Sequence, residues 1–131
     1  MGNKAVITTK ENFENDGIGI YLHWNGGRDS VEAFLAYCKE KGYRGLTEDP
    51  AYGFARLAQV IGNFFGGCYS VGINVVSNLD CDNGDNGVYL VDGWNIIARV
   101  YFHGKEQNVF TLDEMMHAID EKMPESERIC S

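Results

Sequence analysis

The sequence predicts an α+β fold: a five-stranded, mainly antiparallel sheet with three helices, in the order β-β-α-α-β-β-β-α. Three observations carry this. Asp92-Gly93 stands between the apolar runs Val88–Val91 and Trp94–Phe102, the signature of a two-residue hairpin turn. Along Gly17–Trp24 apolar residues alternate with others, as in a half-buried strand. Three further segments change to helical spacing, each opened by a residue suited to capping.

Taken in order, Lys4–Thr9 is short and β-branched and reads as the first strand. Glu11–Asp16 is polar and reads as a turn. The next strand, Gly17–Trp24, places Ile18, Ile20, Leu22 and Trp24 inward, and the two strands are expected to form a hairpin. A helix follows Asn25-Gly-Gly-Arg-Asp-Ser, with Asp29 as its cap and Glu32 completing a capping box. Val31, Phe34, Leu35 and Cys38 form its buried stripe, and Gly42 ends it. Asp49-Pro50 opens a second helix with the stripe Phe54, Leu57, Ala58, Ile61, Phe64 and Phe65, expected to be the most buried of the three. Tyr52, Arg56, Gln59 and Asn63 lie on its other side, and Gly66-Gly67 stops it. Tyr69–Val76 reads as a strand with Val71, Ile73 and Val75 inward.

A two-residue turn at Asp92-Gly93 pairs Val91 with Trp94 and Tyr89 with Ile96. Alternation then collects Tyr89, Val91, Trp94, Ile96, Ala98, Val100 and Phe102 on the core face, and leaves Asn95, Ile97, Arg99, Tyr101 and His103 on the other. Thr111 and Glu114 form a capping box for the last helix, whose stripe is Leu112, Met115, Met116, Ile119 and Met123. Pro124 closes it. Residues 1–123 are expected as one domain, with 124–131 as a loose tail.

The formal net charge is −8, with 19 acidic residues against 11 basic ones. Phosphate binding needs a basic footprint, so this balance argues against nucleic acid or an anionic membrane as the main partner. No Lys or Arg falls between Arg56 and Arg99. From Glu106 to Glu127, Lys122 alone opposes the acids. No segment approaches the length of a membrane span, and Met1–Ile7 has no apolar core of a secretory signal. Cys38, Cys68, Cys81 and Cys130 are therefore expected as reduced thiols of a cytoplasmic protein. Cys68, after Gly66-Gly67, reads as a structural thiol.

Candidate chemistry sits in three places. Asp80, Asp82 and Asp85 lie among Asn and Gly in the acidic loop 80–87, and oxygen ligands on a tightly curling chain suit a hard cation such as Ca²⁺. The match to a helix-loop-helix calcium loop is incomplete. Asp85 and Val91 stand where such a loop has its turn glycine and its bidentate glutamate. A tight surface connection is the alternative reading. The Gly-rich loop 23–29 offers His23, Asn25 and Arg28 to an anion, since glycines before a helix expose backbone N–H groups. Its spacing matches neither a phosphate-binding loop nor a dinucleotide fingerprint. Finally, His23, Tyr21, Arg99 and His103 are all assigned to outward strand faces. If those strands are neighbours, they form a polar site able to donate, accept and titrate.

Several stretches together carry a resemblance: Gly2–Ile7, Tyr21–Asp29, Gln59–Gly67 and Asp82–Tyr89. As a set, over nearly the whole chain, they resemble a group of short, uncharacterised proteins of Gram-positive gut bacteria and their phages or mobile elements. The resemblance implies a bacterial, cytoplasmic accessory protein and brings no catalytic residue with it.

Three functions stay open. The first is a non-enzymatic binding protein acting on a host protein, one version being an acidic mimic that covers a basic surface. The second is a cation- or small-molecule-binding domain. The third is a small enzyme with a His/Tyr/Arg site. The expected partner is a protein or a second copy of the chain, with Ile97, Val88 and Leu90 as an apolar seed for a dimer.

Overall fold

A computed structural model of the protein describes residues 3–67, 70–106 and 108–129. The strands are β1 (Ala5–Thr8), β2 (Ile18–Leu22), β3 (Val71–Val75), β4 (Val88–Asp92) and β5 (Asn95–Val100). The helices are α1 (Lys10–Glu14), α2 (Arg28–Glu40), α3 (Pro50–Phe65) and α4 (Leu112–Lys122). The strands form one sheet in the order β3-β2-β1-β4-β5. All pairings are antiparallel except β1 with β4, so the predicted class holds and the sheet is mixed.

β1 lies in the middle of the sheet, and its residues are buried on both faces. Ala5 and Ile7 join Ile20, Leu22, Tyr89 and Val91 under α2, α3 and α4, in the main core. Val6 joins Val88 and Leu90 in a smaller core on the opposite face, closed by Phe13, Leu79 and Cys81. The sheet's second face is therefore covered at its centre. Val88 and Leu90, two of the three residues of the expected dimer seed, are buried there, while Ile97 is exposed.

Phe13 reaches that face from α1, where the sequence suggested only a turn. Thr9 caps this short helix by accepting a hydrogen bond from the Asn12 N–H. With five residues, α1 shows no helical period beyond Phe13.

The hairpin exists, but its register differs from the expected one. Asp92 pairs with Asn95 and Val91 with Ile96, so Gly93-Trp94 is the turn. Gly93 has φ 62 while Trp94 is not among the positive-φ residues, an arrangement that suits a glycine at the first central position. A second shift follows. Val91 pairs with Ile96 but Leu90 with Ala98, which makes Ile97 the extra residue of a β-bulge. Beyond the bulge every side chain changes face. Ala98 and Val100 leave the helix side, and Arg99 enters it opposite Tyr89.

Helix starts and stops follow the sequence more closely. Asp49 accepts from the Tyr52 N–H with Pro50 next in line, and Thr111 and Glu114 form both halves of the capping box. α2 differs: its cap is Gly27, with no side-chain hydrogen bond, and Asp29 lies inside the helix. α2, not α3, is the most buried helix, because it packs against β5 as well as against α3 and α4. Of the residues expected inward on β2 and β3, Ile20 and Leu22 are buried but others are not. Ile18, Trp24 and Ile73 are exposed. Tyr69 and Cys68 lie outside the described residues.

In the segment expected as a loose tail, the described residues Arg128 and Ile129 bond back to α4 and its end. Arg128 donates to the carbonyls of Met123 and Glu121, and the Ile129 N–H donates to Asp120 Oδ1 at 2.8 Å. The same carboxylate oxygen accepts from the buried Tyr37 hydroxyl. Replacing Tyr37 by Phe removes a donor from a buried carboxylate, and hydrogen bonds to charged groups contribute about 1.5–3 kcal/mol. Chemical denaturation of Tyr37→Phe should show a loss in that range; a change below about 0.5 kcal/mol would contradict the role assigned to this bond.

Candidate functional site

The acidic loop is built around a buried amide. Asn83 Oδ1 accepts from the N–H groups of Asp85 and Gly87 at 3.1 and 3.0 Å. Its Nδ2 donates to the carbonyls of Asp80 and Gly87 at 3.0 and 3.2 Å. Asn86, also buried, donates to Asn3 Oδ1 and to the Lys4 carbonyl, and Asp85 Oδ2 accepts from the Lys4 N–H at 3.1 Å. The loop thus ties the start of β4 to the start of β1. Among the described residues no group of three His, Cys, Asp or Glu side chains is placed to hold a metal ion. Asp80 and Asp82 instead line an open cavity of about 420 Å³ beside Phe13, Asp16 and Tyr101.

The residues of the proposed polar site are divided between the two faces. Tyr21 and His23 do meet, with Tyr21 Oη 3.1 Å from His23 Nδ1. Burial, and then the charges of Asp80 and Asp85, push the Tyr21 hydroxyl pKa up. Trp24 stacks edge-on against His23. Arg99 lies on the other side of the sheet, because of the bulge. His103 is exposed in the segment after β5. The constellation required by the enzyme reading is therefore not assembled.

Arg99 and Arg28, placed in separate sites by the sequence, come together instead. The Arg99 guanidinium sits 3.9 Å from the ring centroids of both Tyr89 and Phe102, a cation–π arrangement. It donates to Glu106 Oε2 at 2.6 Å and to the Asn86 carbonyl at 2.9 Å. Arg28 lies 3.6 Å from the same Glu106 oxygen and bonds Glu32 at 2.5 Å. That bond to Glu32 is the main cause of the raised Arg28 pKa. Both guanidinium groups therefore face carboxylates of this chain, although Arg99 Nε and Glu106 Oε1 are buried without a hydrogen-bond partner.

The Gly-rich loop is also filled from within. Gly26 lies so close to β1 that a Cβ there would stand 2.4 Å from the Asn3 carbonyl oxygen. Its N–H donates to that oxygen, and its own carbonyl accepts from the Tyr89 hydroxyl at 2.7 Å. Asn25 Nδ2 donates to Ser30 Oγ. The carboxylate of Asp29 occupies the start of α2, where an anion would bind. It accepts from the N–H of Ser30 at 2.7 Å and from those of Val109 and Phe110 at 2.8 and 2.9 Å. The Asp29 N–H donates to Asn108 Oδ1 at 3.1 Å.

This anchorage produces a surface that sequence reasoning missed. The chain just before α4 is held by its backbone, and its side chains face outward. Val109 is 79% exposed, Phe110 45% and Leu112 52%. Leu112, expected in the buried stripe, stands where three cavities meet. One, of about 340 Å³, runs along α2 and Trp94. A second, of about 250 Å³, lies by Asn108 and Phe110. The third is a groove of about 440 Å³ between α2 and α4, lined by Tyr37, Glu40, Leu112, Asp113, Met116, His117, Asp120 and Ile129. The available signal was Val-Phe-Thr-Leu, an apolar run interrupted by a helix cap, which leaves Leu112 at the first helical position.

Of the described cysteines, Cys38 and Cys81 are both free. Burial pushes both thiols up in pKa. Among the described residues no helix is long and apolar enough to cross a membrane. No family model, curated protein or solved structure matches the chain.

Asn83→Ala strands backbone groups of the loop in a buried position, each at a cost of about 1–3 kcal/mol. Urea denaturation should show a loss of roughly 2 kcal/mol or more; a near-neutral substitution would contradict the structural role of this amide.

Proposed function

We propose that the protein is a non-enzymatic binding protein that acts by docking another protein onto the face formed by α2, the 108–110 segment and α4. One observation carries this reading: the exposed apolar run Val109, Phe110 and Leu112, continuous with the groove between the two helices. Single exposed apolar residues are ordinary, but a contiguous patch opening on a cleft is a mark of an interaction site. The polar residues that suggested a ligand or an enzyme favour this reading too, because Arg28 and Arg99 bond to carboxylates of this chain and Asp29 and Asp85 accept from its backbone N–H groups.

The acidic-mimic version has less support. Asp80 and Asp82 line a cavity with residues of the smaller core, whereas Glu40 and Asp113 border the helical groove. These four acids thus lie at two separate places.

A photo-crosslinking amino acid at position 112 tests the reading, with the same residue at the exposed position 97 of β5 as control. In a lysate of cells that produce the protein, position 112 should give a discrete protein adduct. Excess wild-type chain should compete the adduct away, and Leu112→Asp should not. Equal adducts at the two positions, or none at 112, would overturn it.

A further inference from the structure

We infer that the partner's docking element is an amphipathic helix whose apolar stripe is flanked by Lys or Arg. This rests on the docking reading above and names the partner's chemistry. The groove between α2 and α4 combines apolar walls, from Tyr37, Leu112, Met116 and Ile129, with the exposed carboxylates of Glu40 and Asp113; Asp120, also there, is buried and bonded to Tyr37 and the Ile129 N–H. Among the described residues no Lys or Arg lines it, and His117 is a further polar residue there. A segment entering it must bury apolar side chains, which supplies affinity. It must also set its flanks beside carboxylates, which favours cations and disfavours anions.

The groove's walls decide the form of the ligand. α2 and α4 supply the walls, with Ile129 of the segment after α4 beside them, and among the described residues no strand lines the groove, so its lining does not favour docking by strand addition. Recognition then falls to side chains. Apolar anchors at helical spacing laid between two helices are the mode that fits such walls.

Charge also separates a foreign partner from a second copy of this chain. The chain carries a net charge of −8. A symmetric dimer through this face would gather Glu40 and Asp113 of both copies in one interface, with no Lys or Arg among the described lining residues to offset them. Like charges so placed oppose association.

The test uses the full chain and three synthetic peptides of equal length. The first is a helical peptide with Leu at i, i+3, i+4 and i+7 and Lys on its flanks. The second replaces each Lys by Glu. The third keeps the Lys but replaces each Leu by Ser. Fluorescence anisotropy gives affinities, and methyl NMR of Leu112 and Met116 locates the binding. The Leu/Lys peptide should bind, shift both methyl groups, and weaken on the order of tenfold when salt rises from low to high ionic strength. The Leu/Glu and Ser/Lys peptides should each bind at least about tenfold more weakly. Glu40→Lys, at the C-terminal end of α2 where a cation suits the helix dipole, should narrow the gap between the Lys and Glu peptides without lowering Tm.

Equal binding of the Lys and Glu peptides at Leu112 would overturn the charge preference and leave the docking reading standing. Equal binding of the Ser/Lys and Leu/Lys peptides, without methyl shifts, would mean diffuse attraction to an acidic protein and overturn the inference. Absence of peptide binding, with a crosslinked protein still captured at position 112, would overturn the helical form of the ligand. Absence of both would overturn the docking reading as well.

Discussion

The carboxylate of Asp29 joins the start of α2 to the chain that leads into α4, and the exposed face depends on that joint. Three backbone N–H groups point at it, from Ser30, Val109 and Phe110. A carboxylate at a helix N-terminus is favoured by the helix dipole, and charge-assisted bonds from otherwise unpaired amides add to it. With its backbone fixed this way, the 108–110 segment cannot turn its side chains under the helices. Phe110 and Leu112 stay outside, while Met115 and Ile119, one turn and two turns on, enter the core. The groove is thus a consequence of how α4 is hung from α2.

A second constraint acts on the sheet. The bulge at Ile97 brings Arg99 to the helix side, where water is scarce and a guanidinium needs partners. Tyr89 and Phe102 supply their ring faces, and Glu106 supplies a carboxylate. Glu106 also neighbours Arg28, so the far end of β5 is tied to the start of α2. Residues that look like a ligand site in the sequence are here the fastening between sheet and helices. A buried charge must be matched, and this chain matches its own.

What could be read from the sequence was whatever depends on neighbours along the chain. Asp49-Pro50, the Thr111–Glu114 box and the glycines at 42 and 66 mark helix ends through local hydrogen bonds and backbone angles, and they do so in the structure. The stripe Val31, Phe34, Leu35 and Cys38 is buried as its spacing requires. What escaped depends on distant parts. A bulge leaves no mark in an alternating pattern except a change of face that begins beyond it. So Arg99 was placed with Tyr21 and His23, and Ala98 in the core. Asp29 has the spacing of a capping residue, but its partners lie at positions 109 and 110, which no local rule reveals. The burial of Val88 and Leu90 needs Phe13 from α1 and Leu79 from the acidic loop, two segments that show little pattern of their own. The candidate groove was least legible, since it arises from apolar residues that the structure fails to bury.

The most direct test of this account is amide hydrogen exchange at Val109 and Phe110, in the wild type and in Asp29→Ala, with the buried helix α3 as internal reference. If Asp29 holds the segment, both amides exchange slowly in the wild type. In the variant, after correction for any change in global stability, they exchange on the order of tenfold faster, the equivalent of about 1.4 kcal/mol. Fast exchange at both amides in the wild type, or no difference between the two proteins, would mean that the segment is not held, and the prepared docking face would go with it.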